Sequence, residues 1–61
     1  MILVFVKGLE ELGRFESSGT LKVGDHVRLD SKVFQVKDVI YEFFGSNSRH
    51  LVEVQVEDLR V

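Results

Sequence analysis

The chain reads as an all-β domain, a small antiparallel barrel of about five strands with at most one short helical turn. Valine stands at eleven positions beside seven leucines and five phenylalanines, while alanine, proline, tryptophan and cysteine do not occur. Branched and aromatic side chains fit a pleated, half-buried surface, and alanine is what an exposed helix favours. Apolar residues also recur at alternate positions in several short runs, the period of a strand with one covered face. Clusters of Gly, Ser, Asn and Asp punctuate those runs.

The elements follow in order. Met1–Lys7 (MILVFVK) is apolar at successive positions, so it is either covered on both faces within the sheet or faces a second copy of the chain. Gly8–Phe15 places Leu9 and Leu12 three apart between glycines. That spacing predicts one helical turn or an ordered loop, since so short an isolated helix is marginal. Glu16–Gly19 is a turn. Thr20–Asp25 leads into a strand over His26–Asp30, with Val27 and Leu29 inward and His26, Arg28 and Asp30 outward. Asp30-Ser31-Lys32 is a tight connection without the Asn-Gly or Asp-Gly pair that marks a two-residue hairpin.

The long strand Val33–Phe44 changes phase. Its apolar set begins with Phe34 and Val36 and resumes as Val39, Tyr41 and Phe43. A bulge at Lys37-Asp38 would produce that slip and also bend the strand, as closing a small barrel requires. On this reading Val39, Tyr41 and Phe43 point inward, and Ile40 and Phe44 are surplus. Gly45–Arg49 is the most loop-like stretch. Leu51–Glu57 closes with Val52, Val54 and Val56 alternating against Glu53, Gln55 and Glu57, and a short tail follows.

The 61 residues make a single domain, 1–61. Domains of this size bury only about 60% of the surface of the unfolded chain, so the core is marginal. Without cysteine neither a disulfide nor a thiolate metal site can supplement it. Self-association is the remaining supplement besides an unusually good core. A net charge of −2 and pI near 5.5 oppose a general affinity for phosphate backbone. The opening apolar run is too short for a signal sequence, and no stretch has the roughly 20 apolar residues of a membrane span. The expected address is cytoplasmic, with no membrane partner.

The segment TLKVGDHVRLD followed by VFQV resembles the diverging turn of SH3-like barrels, in which an apolar-x-x-Gly-Asp turn launches two adjoining antiparallel strands. The resemblance covers about half the chain and implies a fold rather than an activity. The tryptophan pair and proline-bearing segment of peptide-binding SH3 domains are absent, so recognition of proline-rich peptides does not carry over.

No catalytic, metal or cofactor site is expected. Asp25 and His26 are neighbours and point to opposite faces in extended chain, and a solvated charged face accounts for His26 with Asp30. The serines lie in turns, and the glycines form no phosphate-binding spacing. The surplus of apolar residues on two-sided strands points instead to a protein interface, with Ile2, Val4, Phe5, Ile40 and Phe44 as its residues and a homo-oligomer as the expected assembly. Leu9, Leu12 and Phe15 are the competing cover within one chain. The alternative is a nucleic-acid-binding barrel using Arg28, Lys32, Lys37 and Arg49 with Tyr41 and Phe43. A small-ligand pocket between subunits is a weaker third reading. Size and type suit a regulatory or inhibitory accessory protein, such as a bacterium or phage encodes.

Overall fold

The computed structural model describes residues 1–44 and 49–59, the Arg49 side chain excepted. The strands are β1 (Ile2–Lys7), β2 (Glu10–Glu16), β3 (His26–Leu29), β4 (Lys32–Phe44) and β5 (Arg49–Asp58). They form one five-stranded sheet in the order β2-β1-β5-β4-β3, curled into a half-barrel. The expected all-β class holds, and the described residues contain no helix.

Two features differ from the sequence reading. Gly8–Phe15 is neither a helical turn nor a loop, because Glu10–Glu16 pairs antiparallel with β1. The hairpin turns through Gly8, at φ 63°, and Leu9, with Lys7 opposite Glu10. Leu9 and Leu12 have helical spacing, but backbone pairing with β1 decides the conformation. The register shifts between Phe5 and Val6, leaving Leu12 as an extra residue that packs against the core. Second, β1 and β5 run parallel, Ile2 to Val6 lying beside Leu51 to Gln55. This junction joins the β1-β2 hairpin to the antiparallel β3-β4-β5 meander.

The predicted bulge is present. Val36 lies opposite Val56 and Asp38 opposite Gln55, so Lys37 is the added residue. Before it, Phe34 and Val36 face the concave side; after it, Val39, Tyr41 and Phe43 do. The core on that concave side is Leu3, Phe5, Phe34, Val36, Val52, Val54 and Val56, flanked by Leu12, Leu21, Val27, Leu29 and Val39. Phe15 stands edge-on to Phe5, with ring centroids 5.7 Å apart. Gly13 makes room for this contact, since a Cβ there would lie 3.0 Å from the Phe15 ring.

Two turns shape the approach to and exit from β3. At Lys22–Asp25 the Asp25 N–H donates to the Lys22 carbonyl at 3.0 Å, and the Asp25 carboxylate accepts the Lys22 N–H at 2.9 Å. Gly24 supplies φ 98° and donates to the Val36 carbonyl, tying the turn to β4. A Cβ on Gly24 would meet no atom within 4 Å, so Gly24→Ala isolates the backbone penalty. It should cost about 1–2 kcal/mol, read as a lowered thermal midpoint; an unchanged midpoint would contradict the positive φ.

The β3-β4 hairpin has a two-residue loop, Asp30 at φ 49° and Ser31 at φ 70°, as a type I′ turn requires. Ser31 occupies a conformation that glycine adopts freely. Ser31→Gly should therefore stabilise the chain by about 0.5–1 kcal/mol, the relief of the left-handed penalty less the entropy of glycine. A higher urea midpoint at unchanged slope would show it, whereas a lower midpoint would mean that the side chain itself matters.

Candidate functional site

The β4 and β5 pairings arrange the apolar surplus in rows across the sheet. On the convex face one row runs Glu16, Ile2, Leu51, Glu42, and the next runs Arg14, Val4, Glu53, Ile40. On the concave face the corresponding rows are Phe15, Leu3, Val52, Tyr41 and then Gly13, Phe5, Val54, Val39. Val4 is 5% exposed and Phe5 5% exposed within one chain. These two expected interface residues are therefore spent inside the molecule, Phe5 as part of the core and Val4 between the Arg14 and Glu53 positions.

Ile2 and the distal part of β4 are different. Exposure is 41% at Ile40, 46% at Tyr41, 73% at Phe43 and 49% at Phe44, and Ile2 is also exposed. Tyr41 and Phe43 face the concave side as expected but are not buried, which corrects the expectation that the core would receive them. The reason is the length of β4. Its thirteen residues run past their outer neighbours: β3 ends its pairing at Gln35, and the turn at Gly24-Asp25 reaches Val36. From Lys37 to Phe44 the described residues place no strand on the outer side of β4, and the ring of Phe43 has the ring of its cross-strand neighbour His50 at 5.6 Å.

No family model, curated protein or solved structure matches the chain. Its surface chemistry must therefore be read from the residues themselves.

The charged side chains are paired or scattered. Lys7 Nζ lies 2.9 Å from Asp58 Oδ2, and Lys37, the bulge residue, lies 3.3 Å from Glu57 Oε1. Arg14 donates from Nε and Nη2 to both carboxylate oxygens of Glu11 at 3.0 Å. Those hydrogen bonds lower the Glu11 carboxyl pKa and raise that of the Arg14 guanidinium. The depressed carboxyl means that what the pair adds to stability is present at neutral pH and is lost as pH falls through the lowered value. Both groups are fully exposed, so the effect is small.

The residues of the nucleic-acid alternative are not brought together. Arg28 lies on the convex side of β3, and Lys32 begins β4. Tyr41 and Phe43 lie nine and eleven positions further along β4, about 30 Å or more at strand rise. Lys37 between them is engaged by Glu57. The side chain of Arg49 and the loop 45–48 lie outside the described residues. His26 and Asp30 are exposed, and no group of three His, Cys, Asp or Glu residues suited to a metal occurs among the described residues. No helix among the described residues is long and apolar enough to cross a membrane.

The half-barrel is open along the gap between β2 and β3. One hollow of about 490 Å³ there is lined by Leu3, Phe5, Phe15, Leu21, Val27 and Leu29 with polar residues at its rim. A smaller one of about 180 Å³ lies towards Lys7, Leu12 and Lys32. Both hollows are the core seen through the unclosed seam. The sequence reading missed this opening, and it also missed Leu51, which the parallel junction sets beside Ile2. Neither could be found from periodicity, because both depend on which strands become neighbours.

Proposed function

We propose that this chain is a non-catalytic interaction module that binds protein, copies of itself included, through the distal half of β4. The observation that carries this reading is the exposure of Ile40, Tyr41, Phe43 and Phe44 on both faces of one strand. Among the described residues only β5 lies beside β4 at Phe43 and Phe44, and at Ile40 and Tyr41 the row across the sheet ends on a bare outer edge; contiguous apolar surface on small soluble domains marks an interaction site. The likeness of the segment TLKVGDHVRLD to SH3-like barrels belongs to this reading as support for a binding scaffold. A regulatory or inhibitory accessory role in the cytoplasm, of bacterial or phage origin, fits the size and the absence of cysteine.

Light scattering on a sizing column across a range of protein concentrations tests the proposal directly. Self-association should appear as a mass that rises with concentration towards a multiple of 7.0 kDa. A constant monomer mass, with no partner retained on an immobilised chain, would refute it. The nucleic-acid alternative keeps Tyr41 and Phe43 as stacking residues but lacks a cationic groove beside them. Binding to a single-stranded oligonucleotide that weakens steeply with salt would favour it.

A further inference from the structure

Resting on the interaction reading above and naming its partner, we infer that the free edge of β4 pairs antiparallel with the same edge of a second copy, about a two-fold axis at Tyr41. Unpaired edges invite another strand unless they are short, charged or bulged. The described residues offer three such edges, and two are protected. Along β2 stand Glu10, Glu11, Arg14 and Glu16, with a bulge at Leu12. β3 is four residues long and carries His26 and Arg28. The edge of β4 from Asp38 to Phe44 is longer and mostly apolar, and its bulge at Lys37 lies outside that run.

The backbone shows which groups this edge presents. The Val39 N–H donates to the Asp38 carboxylate at 2.9 Å, so it is turned away from β5. Alternate residues of a strand share that direction, and the N–H and C=O groups of Tyr41 and Phe43 therefore face the free side. Asp38 occupies the first donor of the edge, and the next residues to offer a pair of groups are Tyr41 and Phe43.

Strand length, the occupied donor and charge then select the register. An axis at Phe43 would pair only Glu42 to Phe44 of each copy, because β4 ends there, and an axis at Val39 would need the N–H that Asp38 occupies. A two-fold axis perpendicular to the sheet keeps concave face with concave face and pairs residues of like phase. An axis at Ile40 would set Asp38 opposite Glu42 of the second copy. An axis at Glu42 would set that carboxylate opposite its own mate. Like charges directly opposite each other are unfavourable. With the axis at Tyr41, Val39 meets Phe43, Ile40 meets Glu42 and Asp38 meets Phe44, and no two like charges oppose each other. The two Tyr41 residues then exchange both backbone hydrogen bonds, as their outward groups allow. On the concave side Val39 and Phe43 meet beside the Tyr41 pair, and on the convex side Ile40 and Phe44 lie opposite Glu42 and Asp38 of the second copy.

The absence of native cysteine makes a single engineered thiol an unambiguous probe. In this register the Tyr41 Cα atoms of the two copies lie about 5.5 Å apart, within disulfide range. Those of Phe44 are offset by six residues, about 20 Å. Tyr41→Cys and Phe44→Cys both change exposed positions, and circular dichroism verifies that each variant folds. Under mild oxidation Tyr41→Cys should move on a non-reducing gel from 7.0 kDa to twice that mass, while Phe44→Cys stays monomeric. If light scattering gives a dimer but Phe44→Cys cross-links as readily as Tyr41→Cys, or neither does, the edge register is wrong while self-association stands. A native chain that is monomeric at every concentration would overturn both.

Discussion

Phe5→Ala should leave much of the chain unfolded at room temperature. Phe5 is 5% exposed, lies in register with Val54 and Gly13, and meets the Phe15 ring at 5.7 Å. Truncating a buried phenylalanine costs about 3–5 kcal/mol. At about 0.05–0.15 kcal/mol per residue, the whole chain is stabilised by about 3–9 kcal/mol, so this one change removes a large part of it. Ile2→Ala, on the exposed face of the same strand, should shift the urea midpoint far less. Denaturation followed by circular dichroism separates the two. If Phe5→Ala kept the native midpoint while Ile2→Ala lost it, Phe5 would belong to an interface and not to the core.

Tyr41→Glu combined with Phe44→Glu should abolish self-association without unfolding the chain. Both positions are exposed in a single copy, so charged side chains there meet water and not the core. In the paired arrangement the new carboxylates meet each other at the axis and face Asp38 of the second copy. Such like-charge placement costs several kcal/mol, and about 3 kcal/mol already weakens association about 100-fold. The solution mass should fall to 7.0 kDa, and the melting temperature should lose its dependence on concentration. A double variant that remains associated would move the interface elsewhere, the open seam between β2 and β3 being the next surface to test.

The phase change in β4 was legible because a bulge leaves a mark in periodicity: Phe34 and Val36 precede it, and Val39, Tyr41 and Phe43 resume one residue out of step. The facing of Tyr41 and Phe43 was legible for the same reason, but their burial was not. Alternation tells which side of the sheet a residue takes, and it does not tell whether another strand lies above that stretch. β2 was misread for a related reason. Leu9 and Leu12 carry a helical spacing, and Gly13 weakens any strand considered alone. The Phe15 ring over Gly13 and the pairing with β1 restore that strand, and both are long-range facts.

The sequence by itself determined the all-β class, the bulge and the inward sets of β3 and β5. These are local consequences of side-chain alternation. The tertiary structure alone decided that β5 lies parallel to β1, that Val4 and Phe5 are covered within one chain, and that β4 outruns its neighbour beyond Val36. Strand neighbours are chosen by the joint burial of distant segments, and no single segment carries that information. The candidate interface follows from the same fact, since a strand that outruns its outer neighbour leaves apolar side chains and backbone groups exposed, and these form the surface proposed for a second copy.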